Sequence, residues 1–98
     1  TRLLTYVARQ SWGPAFRATL PIAGVDGTLS NRFKRSPLMG KLEAKTGTLN
    51  EVNALSGYLT AKSGKTIVFS ILVNGYRPGS VAQINAIEEI CEAIAEAE

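Results

Sequence analysis

Lys45, Thr46, Gly47 and Thr48 are the residues of this 98-residue chain whose types and spacing could do chemistry. A lysine ammonium supplies positive field, a threonine hydroxyl supplies a directed hydrogen bond, and a glycine leaves the backbone bare for an extended ligand. Small or apolar residues alternate with charged ones around them, which predicts a strand. Lys-Thr-Gly alone is a weak signal, because most chance occurrences of such a tripeptide are turns. In a strand it predicts an edge that holds an anionic, peptide-like ligand.

The elements that must position this edge are two further strands. The three predicted strands are Lys41 to Leu49, Val52 to Ala61 and Thr66 to Asn74. Asn50-Glu51 predicts a tight hairpin between the first two, and Gly64 predicts a second turn with positive φ. The second and third strands are nearly continuous in apolar and small residues, which predicts burial on both faces. Arg77-Pro78-Gly79 ends the predicted sheet.

Helices are predicted before and after the sheet. Leu3, Leu4, Val7 and Ala8 fall on one face of a short amphipathic helix. Pro14 is placed to open a second helix, Ala15 to Thr19, with Trp12 and Phe16 as core residues. Ser30 to Lys34 could form one further helical turn.

The last predicted helix is long and opens at Ser80-Val81-Ala82-Gln83, which has the form of a capping box. Its apolar stripe consists of Ile84, Ile87, Cys91 and Ile94, with Ile90 beside it. The glutamates, Glu88 among them, form the solvated remainder. The fold class predicted is therefore α+β: a three-stranded antiparallel meander with short N-terminal helices and a long C-terminal helix.

Composition limits the classes of partner. Residues 1–77 carry eleven Lys and Arg against three acids, and residues 78–98 carry five glutamates and no base, so +8 and −5 give the net charge of +3. The densest basic cluster is Arg32, Lys34 and Arg35, with Phe33 as its one aromatic residue. A nucleic-acid binder would need a recognisable motif and a stacking platform, and the cluster offers neither. On the main interpretation we therefore expect no nucleic-acid partner.

Cys91 is the one cysteine, and the chain has no histidine. An internal disulfide is therefore excluded, and no plausible set of zinc ligands exists. We expect no metal and no cofactor. The position of Cys91 on the apolar helix stripe favours a small buried hydrophobe over a reactive thiol.

Three segments together resemble a known family. They are Leu20 to Leu29 with the sequence LPIAGVDGTL, the Lys45-Thr46-Gly47 strand, and Asn53 to Tyr58 with the sequence NALSGY. This pattern is similar to the C-terminal part of the class C low-molecular-mass penicillin-binding proteins, which are serine D-alanyl-D-alanine carboxypeptidases and endopeptidases. The resemblance is close from Leu20 to Asn74.

The resemblance implies roles for the four residues. Lys45 and Thr48 would be catalytic: Lys45 keeps the serine and lysine cluster electropositive, and the backbone N–H of Thr48 is one of two oxyanion donors. Thr46 and Gly47 would bind substrate: Thr46 hydrogen-bonds the terminal carboxylate of a D-Ala-D-Ala stem peptide or a β-lactam, and Gly47 keeps the strand clear. The resemblance also implies an exported protein of the bacterial periplasm or cell envelope.

That chemistry needs a nucleophilic Ser-x-x-Lys and a Ser-x-Asn element. None of the seven serines is followed by lysine at the third position or by asparagine at the second. With no histidine, a Ser-His-Asp site is excluded as well. We therefore expect residues 1–98 to be a single fragment of a transpeptidase-like domain, inactive alone, whose nucleophile lies in a missing N-terminal portion.

Two alternatives remain open: a module that holds peptide or glycan termini without cleaving them, and a small basic nucleic-acid binder. The resemblance also implies that an N-terminal strand, lying before residue 1, pairs with the last strand. Residues 66–74 should then present a long apolar edge, which recruits another chain. We expect a homodimer or larger assembly, formed most economically by antiparallel pairing of this edge with its copy about a two-fold axis.

Overall fold

A computed structural model describes residues 1–77 and 79–98. Its helices and strands are α1 (Arg2–Ala8), α2 (Gly13–Arg17), a short 3-10 helix (Gly27–Leu29), β1 (Leu42–Leu49), β2 (Val52–Thr60), β3 (Thr66–Asn74) and α3 (Ala82–Ala97). The strands form one antiparallel sheet in the order β1-β2-β3. The predicted α+β fold class is confirmed. The predicted break at Arg77-Pro78-Gly79 includes Pro78, which lies outside the described residues.

Two turns set the strand register as predicted. Leu49 pairs with Val52 across the two-residue turn, in which Asn50 has a φ of 43°. Such hairpins need positive φ, and asparagine tolerates it better than most residues. Gly64, with a φ of 90°, lies in the turn between β2 and β3.

The main core lies between the sheet and α3. Ile87 and Cys91 of α3 are fully buried in the same cluster as Leu42, Leu55 and Leu59 of the sheet. The predicted stripe of α3 is confirmed at these two positions, and Cys91 is a buried free thiol. Ile90, beside the stripe, is 44% exposed.

The two faces of the sheet are covered unequally. On the face away from α3, the buried ring of Tyr58 lies under α1 and α2, and its hydroxyl donates to the Leu4 carbonyl at 2.7 Å. Further along the same face, Leu72 is 65% exposed. The prediction that β3 is buried on both faces is therefore wrong, because α3 covers one face while α1 and α2 reach only one end of the other. The same prediction of burial on both faces is correct for β2 at the end that contains Tyr58.

Local predictions of burial in the first two helices are also wrong. Trp12 is 48% exposed and Leu3 is 70% exposed, because α1 and α2 are short and turn only Val7 and Gly13 fully inward. Trp12 instead packs edge to face against Tyr6, with ring centroids 6.5 Å apart.

The predicted start of α3 is corrected as well. Val81, not Ser80, is the N-cap residue, and it makes no side-chain cap. The hydroxyl of Ser80 accepts from the Ala82 N–H at 3.2 Å, while the Gln83 side chain donates to the Ser80 carbonyl at 2.6 Å. The same two residues are used, but the reciprocal bonds of a capping box do not form.

Glu88 is not part of a solvated face. Its carboxylate accepts from Arg32 Nε at 3.0 Å and from the Phe33 N–H at 3.2 Å. Phe33 has a φ of 61°, a left-handed conformation that costs free energy in a bulky residue, and its side chain is buried. Glu88 therefore fixes a strained connector onto α3. The predicted turn at Ser30 to Lys34 is replaced by the 3-10 helix at Gly27–Leu29, and α2 begins two residues earlier than predicted.

Candidate functional site at the β1 edge

The outer edge of β1 is paired along one half and open along the other. The Ala44 N–H donates to the Pro21 carbonyl at 3.0 Å, and the Ala23 N–H donates to the Leu42 carbonyl at 2.9 Å. Outward backbone groups alternate along a strand, so those of Thr46 and Thr48 also point away from β2. Among the described residues, no backbone hydrogen bond from another segment reaches these two. The open half of the edge is therefore the Lys45–Thr48 segment.

Thr48 offers its backbone rather than its side chain. Its outward N–H lies at the exposed end of β1, where an incoming carbonyl oxygen could accept from it. An N–H on a rigid strand is oriented before the ligand arrives, which is what an oxyanion donor requires. Its predicted role is compatible with this placement.

Lys45 lies on the sheet face away from α3, in register with Ser56 of β2. Its side chain is exposed, and Nζ donates to the Thr46 carbonyl at 2.7 Å. Ser56 Oγ is instead 2.7 Å from Ser70 Oγ, so these two hydroxyls satisfy each other. Lys45 therefore brings positive charge to the open backbone and does not activate a neighbouring serine in this arrangement.

Gly47 is a glycine that the fold itself does not require. Its φ lies outside the left-handed range, and a Cβ built on it would have only Ala54 Cβ nearby, at 3.7 Å, an ordinary contact distance. Gly57 of β2 is the opposite case, since its Cβ would overlap the Glu43 carbonyl oxygen and lie 2.6 Å from Ala44 Cα. The bare position at Gly47 thus leaves space on the exposed side of β1, as a ligand-binding strand needs.

Thr46 has a neighbour that the sequence did not reveal. Its Oγ1 donates to Oγ1 of Thr28 in the 3-10 helix at 3.1 Å. Thr28 belongs to the Asp26-Gly27-Thr28 segment that helped to carry the resemblance, but nothing in the residue pattern brings it to β1. The one available signal was its position directly after a glycine, Gly27, whose φ is 56°.

A compact loop holds Thr28 in place. Asp26 Oδ1 accepts from the Ile22 N–H at 2.7 Å, and the Gly24 N–H donates to the Leu29 carbonyl at 2.9 Å. Leu29 is fully buried, so it anchors the 3-10 helix in the core. Gly24 takes a φ of 72°, and a Cβ there would lie 2.7 Å from Met39 Cγ. The loop therefore has little freedom to move Thr28 away from Thr46.

The covered end of β1 is fixed by an ion pair. Arg17 of α2 donates to both carboxylate oxygens of Glu43, at 3.3 and 3.1 Å, and its guanidinium lies 4.8 Å from the centre of the Tyr58 ring. Burial raises the pKa of the Tyr58 hydroxyl, against the opposing effect of Arg17. Tyr58 therefore remains a neutral hydrogen-bond donor to Leu4.

Other parts of the molecule do not join this site. A cavity of about 250 Å³ lies at the far end of the sheet, lined in part by Lys41, Lys62 and Glu96. The basic cluster is divided, because Arg32 is paired with Glu88 and Phe33 is buried rather than available for base stacking.

In residues 1–77 and 79–98, no group of His, Cys, Asp and Glu is arranged to hold a metal ion. No helix in the same part of the chain is long and apolar enough to cross a membrane.

Comparison with known proteins gives one consistent family. Residues 1–97 match the D-Ala-D-Ala carboxypeptidase 3 (S13) family. The D-alanyl-D-alanine carboxypeptidase of Actinomadura sp. (strain R39) is 41% identical in a 91-residue alignment that covers 87% of this chain and 17% of that protein. The D-alanyl-D-alanine carboxypeptidase DacB of Haemophilus influenzae is 38% identical in an 81-residue alignment that covers 81% of this chain and 17% of the relative.

Solved structures agree with the sequence relatives. The crystal structure of penicillin binding protein 4 from Haemophilus influenzae superposes with a TM-score of 0.87 at 32% identity, covering 97% of this chain and 23% of that one. The same protein complexed with a novel β-lactam gives the same TM-score and covers 24% of that chain. The chain thus spans about a fifth of the length of the relatives it matches.

Proposed function

The chain belongs to the D-Ala-D-Ala carboxypeptidase 3 (S13) family, and on that premise we propose that it supplies one wall of the active site of a serine D-Ala-D-Ala carboxypeptidase. The observation that carries the proposal is the half-open edge of β1. Backbone pairing with residues 21–23 stops at Ala44, and the next four residues are Lys45-Thr46-Gly47-Thr48. An extended peptide terminus can pair with such an edge by β-augmentation.

Each residue has a distinct task in this proposal. Lys45 raises the positive potential along the edge, which favours a substrate carboxylate and stabilises developing negative charge. The Thr46 hydroxyl donates to the terminal carboxylate. Gly47 leaves room for the ligand. The Thr48 N–H donates to the oxyanion of the tetrahedral intermediate.

The nucleophile would come from outside these 98 residues. The resident serines lack both the Ser-x-x-Lys and the Ser-x-Asn pattern, and the Ser56 and Ser70 hydroxyls are bonded to each other. We propose that residues 1–98 form a single segment of a larger transpeptidase-like domain, completed by an N-terminal portion of the same protein. Its substrates would be peptidoglycan stem peptides, its inhibitors β-lactams, and its location the periplasm or cell envelope.

Labelling with a fluorescent penicillin tests the proposal. The complete protein that contains this segment should form a covalent adduct with one penicillin per chain. The 98-residue chain alone should form none and should release no D-alanine from a D-Ala-D-Ala peptide. A stoichiometric mass increase of the isolated chain would contradict the assignment of the nucleophile. A complete protein that binds D-Ala-D-Ala peptides but never acylates would favour the non-cleaving binding module instead.

A further inference from the structure

The feature that the proposed chemistry leaves unused is the contact between the two threonine hydroxyls. Thr28 Oγ1 and Thr46 Oγ1 are 3.1 Å apart, although the residues are 18 positions apart in the chain. Thr28 is exposed and Thr46 is half-buried, so both hydroxyls lie beside the open half of the β1 edge. A ligand that reached Thr46 would therefore meet a hydroxyl that already has a hydrogen-bond partner.

The contact joins two rigid parts of the molecule. Thr28 lies between Gly27, whose φ of 56° sets the turn, and the fully buried Leu29. Thr46 lies on β1 two residues beyond Ala44, whose N–H is bonded to the Pro21 carbonyl. Because the loop is fixed to the same strand that carries Thr46, the backbone holds the two Cβ atoms in place, and each threonine has only its stiff χ1 torsion to move its hydroxyl.

A hydroxyl has one proton to donate and can accept at its oxygen. In the structure the Thr46 hydroxyl uses its one proton to donate a hydrogen bond to the Thr28 hydroxyl. A carboxylate accepts only, so it can bind Thr46 only if that proton turns toward it. The Thr46 oxygen then loses its link to Thr28 unless the Thr28 hydroxyl rotates and donates in return. Such a reversal keeps the contact and lengthens the chain to Thr28–Thr46–carboxylate, in which each bond polarises the next.

We propose that Thr28 is a positioning residue for the substrate carboxylate, acting through the hydroxyl of Thr46. Its hydroxyl accepts from Thr46 in the free site and donates to Thr46 in the occupied site. This inference rests on the proposed role of Thr46 in binding the carboxylate. It concerns binding orientation only, and no bond of the substrate is made or broken by Thr28.

The experiment compares two substrates of the complete protein: an N-acyl-D-Ala-D-Ala peptide with a free C-terminal carboxylate, and the same peptide with a C-terminal amide. The readout is the ratio of kcat/KM for the two. Thr28→Val should lower this ratio about three- to tenfold, which corresponds to the free energy of one neutral hydrogen bond. The loss should appear in KM. Thr28→Ser, which keeps the hydroxyl, should hold the ratio within about twofold of the unmodified protein. A merely structural role would lower kcat/KM for both substrates together and leave the ratio unchanged.

The double variant Thr28→Val with Thr46→Val separates action through Thr46 from direct contact. If Thr28 acts through Thr46, adding Thr28→Val to Thr46→Val should lower the ratio no further than Thr46→Val alone does. A ratio lower in the double variant than in Thr46→Val would overturn the inference, because it would mean that Thr28 touches the ligand itself. Thr28→Ala serves as a second truncation, so that a folding defect peculiar to valine does not decide the result.

The two proposals fail in different ways. If Thr46→Val lowers the ratio and Thr28→Val does not, the inference about Thr28 is wrong and the proposed function stands. If Thr46→Val itself leaves the ratio unchanged, the carboxylate site is misplaced and both are wrong.

Discussion

The two edges of the sheet present open backbone of opposite chemical character. On β1, residues 21–23 pair with the first half, and the open remainder carries an ammonium, a hydroxyl and a bare glycine. On β3, the outward backbone groups belong to Thr66, Val68, Ser70, Leu72 and Asn74, and no strand among the described residues pairs with them. The β3 edge is longer and carries no charge. We propose that the β1 edge takes a short polar ligand and that the β3 edge takes another strand.

The largest effect should come from the strand that holds both edges together. Gly57→Ala places a Cβ against the Glu43 carbonyl oxygen and 2.6 Å from Ala44 Cα. Neither backbone can retreat, so we expect a loss of about 3 kcal/mol or more in the free energy of unfolding. Gly47→Ala is the matched control, with its nearest contact at 3.7 Å, and should change stability by less than about 1 kcal/mol. Thermal denaturation of the 98-residue chain measures both, and equal midpoints would show that Gly57 is not a packing requirement.

The next effect tests the polar edge in the complete protein. Lys45→Ala removes the positive charge that lies along the open backbone, so acylation by a penicillin should slow strongly. Thr46→Val should cost less, about 1.5 to 3 kcal/mol of transition-state binding, the size of a hydrogen bond to a charged group. Stopped-flow acylation rates decide this, with circular dichroism to show that both variants fold. Unchanged rates for both would mean that Lys45-Thr46-Gly47 is a structural segment only.

A third prediction tests the apolar edge. We expect the 98-residue chain to form a homodimer through residues 66–74, and Leu72→Lys should abolish it because a lysine on an edge strand opposes strand pairing. Leu72 is 65% exposed, so the substitution should barely affect the monomer. Leu49→Lys is the matched control, since Leu49 is 71% exposed at the end of β1. Sedimentation at micromolar concentration should show a monomer for Leu72→Lys and a dimer for the control. A monomeric unmodified chain with strong amide protection along residues 66–74 would show that the edge is covered.

The smallest effect concerns the core beneath both edges. Burial raises the pKa of the Cys91 thiol to about 12, with Arg32 acting in the opposite direction. The pKa of the thiol in the folded chain therefore lies above its value in the unfolded chain, about 8.5. Burial of the neutral thiol contributes fully to the free energy of unfolding below about pH 8.5, and this contribution is lost as the pH rises toward 12. The midpoint of thermal unfolding should therefore begin to fall above about pH 9. At pH 8 the folded chain should resist a thiol-specific reagent, and rapid modification there would contradict a closed interface between α3 and the sheet.

The parts of the fold that local chemistry determines could be predicted from the sequence. Alternation in the first strand, apolar runs in the second and third, and the turn residues Asn50 and Gly64 defined all three strands to within one residue. The spacing of Ile87 and Cys91 identified the buried side of α3. The exposure of β3 could not be predicted, because an apolar run does not say how far the covering helices extend. Trp12 was misjudged for the same reason.

The site was predictable only in part. The sequence predicted that Lys45, Thr46, Gly47 and Thr48 lie on one strand, but it did not predict which other residues contact them. Their roles remain predictions. Thr28 was missed because its contact with Thr46 depends on the path of the loop through Gly24 and Gly27, both of which have positive φ. A residue pattern does not predict which strand residue a loop will contact when the loop contains two glycines with positive φ.

The half-exposed position of Trp12 determines what an optical experiment on this chain can report. Trp12 is the only tryptophan, lies between α1 and α2, and contacts Tyr6 rather than the main core. Trp12 is 48% exposed in the folded chain, so its emission should change less on unfolding than that of a buried tryptophan. Tryptophan fluorescence therefore follows the two short helices that Tyr58 and Arg17 connect to the sheet. The cooperative loss of the sheet itself is better followed by far-ultraviolet circular dichroism.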